Sequence, residues 1–229
     1  MTALCRPKDL RRPVARLTIK VPAEPQPAAH ALRVGLLGGS FNPAHEGHRY
    51  ISLEALKRLG LDQVWWLVSP QNPLKTVAGM APLAERVAGA AGIARHPRLR
   101  VLPLETRLGT RYTADTLARL ARWPGHRFVW LMGADNLAQL PQWHRWRGIL
   151  EACPVAIFER HPYSYGALAG AAARSLATAR RSEADAGSLV MEAAPAWVFM
   201  RMRPHPASAT AIRAGIAVRQ SRSGWGETR

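Results

Sequence analysis

The stretch Gly38-Gly39-Ser40-Phe41-Asn42-Pro43-Ala44-His45-Glu46-Gly47-His48 holds residues whose types and spacing could do chemistry. The two glycines let a backbone approach a ligand closely. His45 and His48 are three apart, so on a helix both rings project toward one face. A helix that begins there offers unpaired N–H groups and the positive end of its dipole, a natural anion site. Two imidazoles beside such N–H groups can hold phosphate oxygens and stabilise charge on a departing pyrophosphate. Each piece alone is ordinary. A Gly-Gly turn is common punctuation, and one histidine at a helix start is more often a surface residue. The pair could also bind a metal, but no third ligand is near, and the P-loop and G-x-G-x-x-G patterns are absent. The combination favours a nucleotide phosphate site.

Such a loop needs a strand before it and a helix after it. Residues 34–38 are a short apolar run ending in glycine, which reads as a buried strand and a tight turn. Residues 46–60 carry Ile51, Leu53, Leu56 and Leu59 at helical spacing and close on Gly60. Further strands are expected at 63–69, 99–104, 126–132, 154–158 and 196–200. Further helices are expected at 82–95, 113–123, 165–181 (Ala-rich) and 208–218. Strands alternating with helices imply an α/β doubly wound, Rossmann-like parallel sheet with helices on both faces, in a single domain. Ligands of such folds sit at the carboxyl ends of the strands, where the loop lies. The domain is expected over residues 32–220, behind a Pro-rich extension at 1–31 that is expected to be disordered and before a tail at 221–229.

The chain of 229 residues is 48% hydrophobic and 21% charged, which is a globular composition. Cys5 and Cys153 exclude a disulfide scaffold and a four-cysteine zinc site, and reduced thiols in a cytoplasmic setting are expected. No stretch reaches the ~20 apolar residues of a membrane helix. The formal net charge is +17, and apart from Lys8, Lys20, Lys57 and Lys75 the cations are arginines. That charge invites a nucleic-acid reading. Part of it lies in the extension, and the tryptophans sit in strand-like segments rather than interleaved with basic residues on a sheet face. Neither a nucleic acid nor a membrane is therefore expected as a partner. A positive field would also aid capture of small phosphorylated anions.

The glycine–histidine stretch resembles the GG-S/T-F-D-P-x-H-x-G-H signature of the nucleotidylyltransferase superfamily. Asn42 stands where Asp is more frequent, and no catalytic role is given to it. Ser208-Ala209-Thr210-Ala211-Ile212-Arg213 is similar to the superfamily's S-x-T-x-I-R segment; Ser208 suits an N-cap, with Arg213 about one turn inside. Three further segments resemble those of nicotinate-nucleotide adenylyltransferases. They are Arg111-Tyr112-Thr113-Ala114-Asp115-Thr116-Leu117, Gly133-Ala134-Asp135-Asn136, and Gln142-Trp143-His144-Arg145-Trp146 with Ile149. Lys75 is similar to the basic residue of the family's P-P-H-K segment, although Leu74 stands where His is common. The resemblance runs from about Val34 to Val218.

The resemblance implies transfer of AMP from ATP to nicotinate mononucleotide, giving nicotinate adenine dinucleotide and pyrophosphate in NAD biosynthesis. His45, His48, Lys75 and Arg213 are the implied catalytic residues. Gly38, Gly39, Ser40, Phe41, Gly133, Asp135, Ser208 and Thr210 join His45, His48 and Arg213 in binding ATP, with Asp135 accepting from a ribose hydroxyl. Tyr112 and Thr113 offer donors to the nicotinate carboxylate, and Trp143 stacks on the ring while Trp146 packs in the core. Mg²⁺ is expected to ride mainly on substrate phosphates, with no dedicated protein site. Two alternatives remain open: nicotinamide mononucleotide or dual specificity, and a basic nucleic-acid-binding protein. The oligomeric state, monomer or homodimer, is not fixed by the sequence.

Overall fold

The computed structural model describes residues 31–71 and 79–203, together with positions 205, 209, 212 and 215. The strands are β1 (Leu32–Gly39), β2 (Gln63–Val68), β3 (Leu99–Leu102), β4 (His126–Gly133), β5 (Val155–Phe158), β6 (Arg180–Arg181) and β7 (Trp197–Met200). All pair in parallel, in the order β3-β2-β1-β4-β5-β7-β6. The α-helices are α1 (Glu46–Arg58), α2 (Leu83–Ile93), α3 (Leu104–Leu108), α4 (Thr113–Leu120), α5 (Ala134–Gln139), α6 (Trp146–Ala152), α7 (Ser164–Leu168) and α8 (Ala171–Ser175). The doubly wound reading of the sequence is therefore correct. Among the described residues, no helix is long and apolar enough to cross a membrane.

Side chains alternate between the faces of each strand, and both faces are covered, so the central strands are apolar throughout. Leu36, Trp65, Phe128 and Trp130 point to one face, which packs against Leu117 of α4, Leu137 of α5 and Ile149 of α6. Leu37, Trp66, Val129 and Leu131 point to the other, which packs against Leu56 of α1, Val87 of α2 and Leu189. The chain leaves β1 for β2 and β3 on one side, then returns to β4 on the other. The two loops that diverge from β1 and β4 open a crevice between them, the switch point of such sheets.

The largest local departure from expectation is the Ala-rich stretch 165–181. It is not one helix but α7, α8, a short 3₁₀ turn at Ala177–Ala179 and the edge strand β6. Gly170 takes an extended conformation and starts α8 as its N-cap. The Leu176 carbonyl accepts from the Trp197 indole at 2.8 Å and from the Ala179 N–H of the 3₁₀ turn at 3.0 Å, instead of from an α-helical i+4 partner. The third strand ends at Leu102 instead of residue 104. Pro103 has no N–H for the ladder, and Leu104 turns into the core as the first residue of α3. Helices α5, α6 and the 3₁₀ segment Glu183–Met191 were not foreseen. The expected extension (apart from residue 31), the tail at 221–229, and Lys75, Ser208, Thr210 and Arg213 lie outside the described residues. Within the expected helix 208–218, Ala209, Ile212 and Gly215 are helical.

Candidate active site

A cavity of about 990 Å³ opens at the carboxyl ends of β1 and β4. Every described residue proposed from the sequence lines it: Gly38, Gly39, Ser40, Phe41, His45, His48, Tyr112, Thr113, Gly133, Asp135 and Trp143. Ala209, from the segment of Ser208 and Thr210, lines it too.

The two histidines build the start of α1. His45 is its N-cap, and His45 Nδ1 accepts from the Gly47 N–H at 3.1 Å. His48 Nδ1 accepts in turn from the His45 N–H at 3.2 Å. This is a capping box in which histidines replace the usual hydroxyl and carboxyl partners. It has a chemical consequence. With both Nδ1 atoms accepting, each neutral ring carries its proton on Nε2. The rings stand 3.9 Å apart between centroids, at the positive end of the α1 dipole. Two Nε2–H donors are thus left for an anion.

Phe41 fixes the loop that leads to them. Its φ of 48° is in the left-handed region, which a bulky side chain enters only under constraint. The constraint is stacking: its ring lies on Trp66 at 5.1 Å and beside His48 at 4.8 Å. Trp66 donates to Ser52 Oγ at 2.7 Å, and Ser52 donates to the His48 carbonyl at 2.8 Å. Asn42 uses both ends of its amide, donating to the Gly79 carbonyl at 2.9 Å and accepting from the Ala81 N–H at 3.2 Å. A carboxylate could not make the first bond, which accounts for Asn at this position. Gly38 serves packing: a Cβ there would stand 2.3 Å from the Trp130 ring.

Burial pulls His48 down to about 3, with His45 and Arg160 adding like charge. Burial, then Arg160 and His205, pulls His45 down to about 4. Both rings are therefore neutral donors at neutral pH. Glu105 is the converse: burial pushes its carboxyl up to about 7, against a hydrogen bond from Ser69. These shifts set a pH dependence. From the ordinary 6.5 down to about 4 the unfolded chain binds more protons at the histidines, so stability falls with acid. Glu105 contributes stability that is present below its ordinary 4.5 and lost as pH rises through about 7. Two imidazoles outweigh one carboxyl, so the urea midpoint of the ligand-free protein is expected to be lower at pH 5 than at pH 7. An equal or higher midpoint at pH 5 would contradict the neutral histidines.

On the far side of the crevice, α4 begins at Thr113 with Tyr112 as N-cap, and its first N–H groups are not consumed within the helix. The Tyr112 ring lies 4.2 Å from that of His144. Trp143 is half-buried, with one side on the core and another on the cavity. Trp146 packs on the core, under the Arg147 guanidinium at 4.5 Å. Asp135 is paired through Oδ2 with Arg160 at 2.9 Å.

Three lining residues, and one that supports the wall from behind, were missed from the sequence. Arg160 follows β5 at its carboxyl end, a position that the switch-point rule could have flagged. Glu105 and Trp130 gave no signal, the first resembling a surface carboxylate and the second a core residue. Arg86, in α2, lies behind the loops rather than in the wall. It is 4% exposed and donates to the carbonyls of Ser40, Ser69, Pro70 and Ala81. Among the described residues, four buried side-chain atoms lack a hydrogen-bond partner: Ser40 Oγ, Glu105 Oε2, Trp130 Nε1 and Asp135 Oδ1. All four residues line this cavity. An unmade buried hydrogen bond costs about 1–3 kcal/mol, so their concentration here marks a wall built for a polar ligand. No cluster of three or more His, Cys, Asp or Glu side chains among the described residues is arranged to hold a metal ion.

A parallel sheet with a histidine pair facing the crevice at its switch point fits the nucleotidyltransferase class. The family model of cytidylyltransferase-like proteins matches residues 36–215. A probable nicotinate-nucleotide adenylyltransferase of Parvibaculum lavamentivorans is 52% identical over 195 residues, 85% of this chain and 94% of that protein. One of Cereibacter sphaeroides is 56% identical over 182 residues, 79% of this chain and 96% of that protein. The chain belongs to the nicotinate-nucleotide adenylyltransferase family. In fold it is similar to the Plasmodium falciparum nicotinic acid mononucleotide adenylyltransferase solved in complex with NaAD, with a TM-score of 0.60 at 14% identity. That match covers 80% of this chain and 83% of the solved one.

Proposed function

We infer that this protein transfers the adenylyl group of ATP to nicotinate mononucleotide, releasing pyrophosphate and forming nicotinate adenine dinucleotide for NAD biosynthesis. The observation that carries this reading is the histidine capping box, whose two Nε2–H donors face a cavity that runs on to α4 and Trp143. A phosphate oxygen of the mononucleotide attacks the α-phosphorus of ATP, and the bond from that phosphorus to the pyrophosphate oxygen breaks. The attacking oxygen is already ionised, so no general base is needed. The work is positioning and stabilisation of charge.

His45 and His48 hold the departing phosphates as neutral donors, aided by the positive end of the α1 dipole. Lys75 and Arg213 are assigned the remaining charge on pyrophosphate, as the sequence resemblance implies. Asp135 keeps one oxygen for a nucleotide hydroxyl, its other oxygen being held by Arg160. The start of α4 suits the nicotinate carboxylate, and Trp143 the ring. Mg²⁺ would arrive with ATP as part of the substrate and would screen the phosphate charge.

The test is incubation with ATP, Mg²⁺ and either nicotinate or nicotinamide mononucleotide. Pyrophosphate and the dinucleotide are expected at least about tenfold faster from the nicotinate acceptor, because a charged group gains more at a helix N-terminus than an amide. Equal rates would establish dual specificity. No acceptor-dependent pyrophosphate would refute the activity.

A further inference from the structure

Two of the unpartnered atoms in the cavity wall are not used by the reading above. Trp130 lies on β4, 3% exposed, with its ring pressed against the bare backbone of Gly38. Its indole N–H has no partner among the described residues. Glu105 lies in α3, 6% exposed, with Oε2 likewise unpartnered while Ser69 bonds the carboxyl. The two belong to the same side of the crevice. Trp130 and Leu104 pack in the cluster that contains Ala114 and Leu117 of α4, with Trp143 against it. The Glu105 carbonyl accepts from the Thr110 N–H at 3.0 Å, and Thr110 Oγ1 lies 2.7 Å from Thr116 Oγ1 in α4. The donor and the acceptor thus stand in the half of the cavity assigned to the adenylyl acceptor.

We propose that Trp130 Nε1 and Glu105 Oε2 hold the ribose hydroxyls of the mononucleotide and make this half of the site selective for a ribonucleotide. The proposal rests on the acceptor reading above. Its logic is elimination by charge. Nicotinate mononucleotide is anionic at both ends, at the ring carboxylate and at the phosphate. A buried carboxyl is unfavourable beside either. The hydroxyls between them are neutral, and each can both donate and accept. The indole N–H, which only donates, is matched by a hydroxyl oxygen; the carboxyl oxygen is matched by a hydroxyl proton. Burial, which holds Glu105 near neutrality, also suits a hydroxyl partner better than a charged one.

The experiment compares nicotinate mononucleotide with its 2′-deoxy and 3′-deoxy analogues. Unmodified protein is expected to lose about tenfold in kcat/KM on at least one analogue, the worth of one buried hydrogen bond. Trp130→Phe keeps an aromatic ring at this position and removes the N–H, giving up the far edge of the indole that lies on Gly38. It is expected to raise KM for the ribonucleotide about tenfold, leave KM for ATP unchanged, and cut the discrimination against that analogue to less than about threefold. A folding-competent Glu105→Leu serves the same comparison should Trp130→Phe not fold. Equal kcat/KM for all three acceptors in the unmodified protein overturns the proposal without any variant. So does full discrimination surviving in Trp130→Phe or Glu105→Leu. Turnover of the ribonucleotide by unmodified protein keeps these outcomes separate from failure of the activity reading, which would remove both.

Discussion

Replacing His48 by alanine is expected to lower turnover by two to three orders of magnitude while leaving the protein folded. The reasoning begins with the cap. His48 Nδ1 accepts from the His45 N–H, so the variant loses that bond as well as the Nε2–H donor. A lost cap is worth about 1 kcal/mol of stability, and alanine favours the helix interior, so folding survives. The missing donor matters more during reaction, because removal of one preorganised donor from a developing oxyanion costs about 3–4 kcal/mol of transition-state stabilisation. His48→Gln separates the two contributions. Glutamine at this third helical position can restore the cap and still present an amide donor. Its stability is expected to match the parent, with turnover between parent and alanine variant. The protonation state adds a second check. His48 is held near 3 and His45 near 4 in the ligand-free site, so they act there as neutral donors rather than cations. Activity should not fall between pH 7 and pH 8.5 through loss of imidazolium. Near-parental turnover in His48→Ala would remove the phosphate role of α1.

The loop after β1 was legible because its chemistry is local. Glycines, two histidines and a helix start occupy eleven consecutive positions, and the strand–loop–helix order places them at a carboxyl end. Tyr112, Thr113, Gly133, Asp135 and Trp143 were legible through family resemblance and not through periodicity. Residues that depend on distant partners were hidden. Trp130 reads as one more apolar residue of a buried strand, and only the missing Cβ of Gly38 shows why its ring fits there. Gly38 itself was read as a ligand-contact glycine, and its bare backbone accommodates that tryptophan. Glu105 follows Pro103 and Leu104 in a segment with no pattern, and its burial is a property of the packed loops. The Ala-rich stretch was misread for the opposite reason. Its composition favours helix strongly, but Gly166 and Gly170 lower the local preference, and pairing of Arg180–Arg181 with β7 claims the end of the segment.

Arg86 ranks with His48 in expected effect, although it is not in the cavity wall. Its Nε donates to the Ala81 carbonyl at 2.8 Å. One terminal nitrogen, Nη1, reaches the carbonyls of Ser40 and Ser69 at 2.7 Å each, and Nη2 reaches Pro70 at 2.9 Å. A single side chain thus ties together the loop after β1, the end of β2 and the entry to α2. These carbonyl dipoles solvate the buried cation in place of water, and burial lowers its pKa without discharging it. Only a planar fork with five N–H donors spans these positions. Arg86→Met, which keeps much of the aliphatic stem, leaves four carbonyls short of a donor. Its stability is expected to fall by about 3 kcal/mol, roughly 1 kcal/mol per lost bond after water reaches the more exposed ones. Turnover should fall further than stability predicts, because Ser40 anchors the loop that presents Phe41 and His45. Arg86→Lys keeps the charge but not the fork, so it should recover less than half of the lost stability and little of the lost turnover. Urea unfolding and kcat/KM for ATP measured on both variants separate charge from geometry. Full recovery by lysine would show that the loops need only a buried cation and would overturn the clamp.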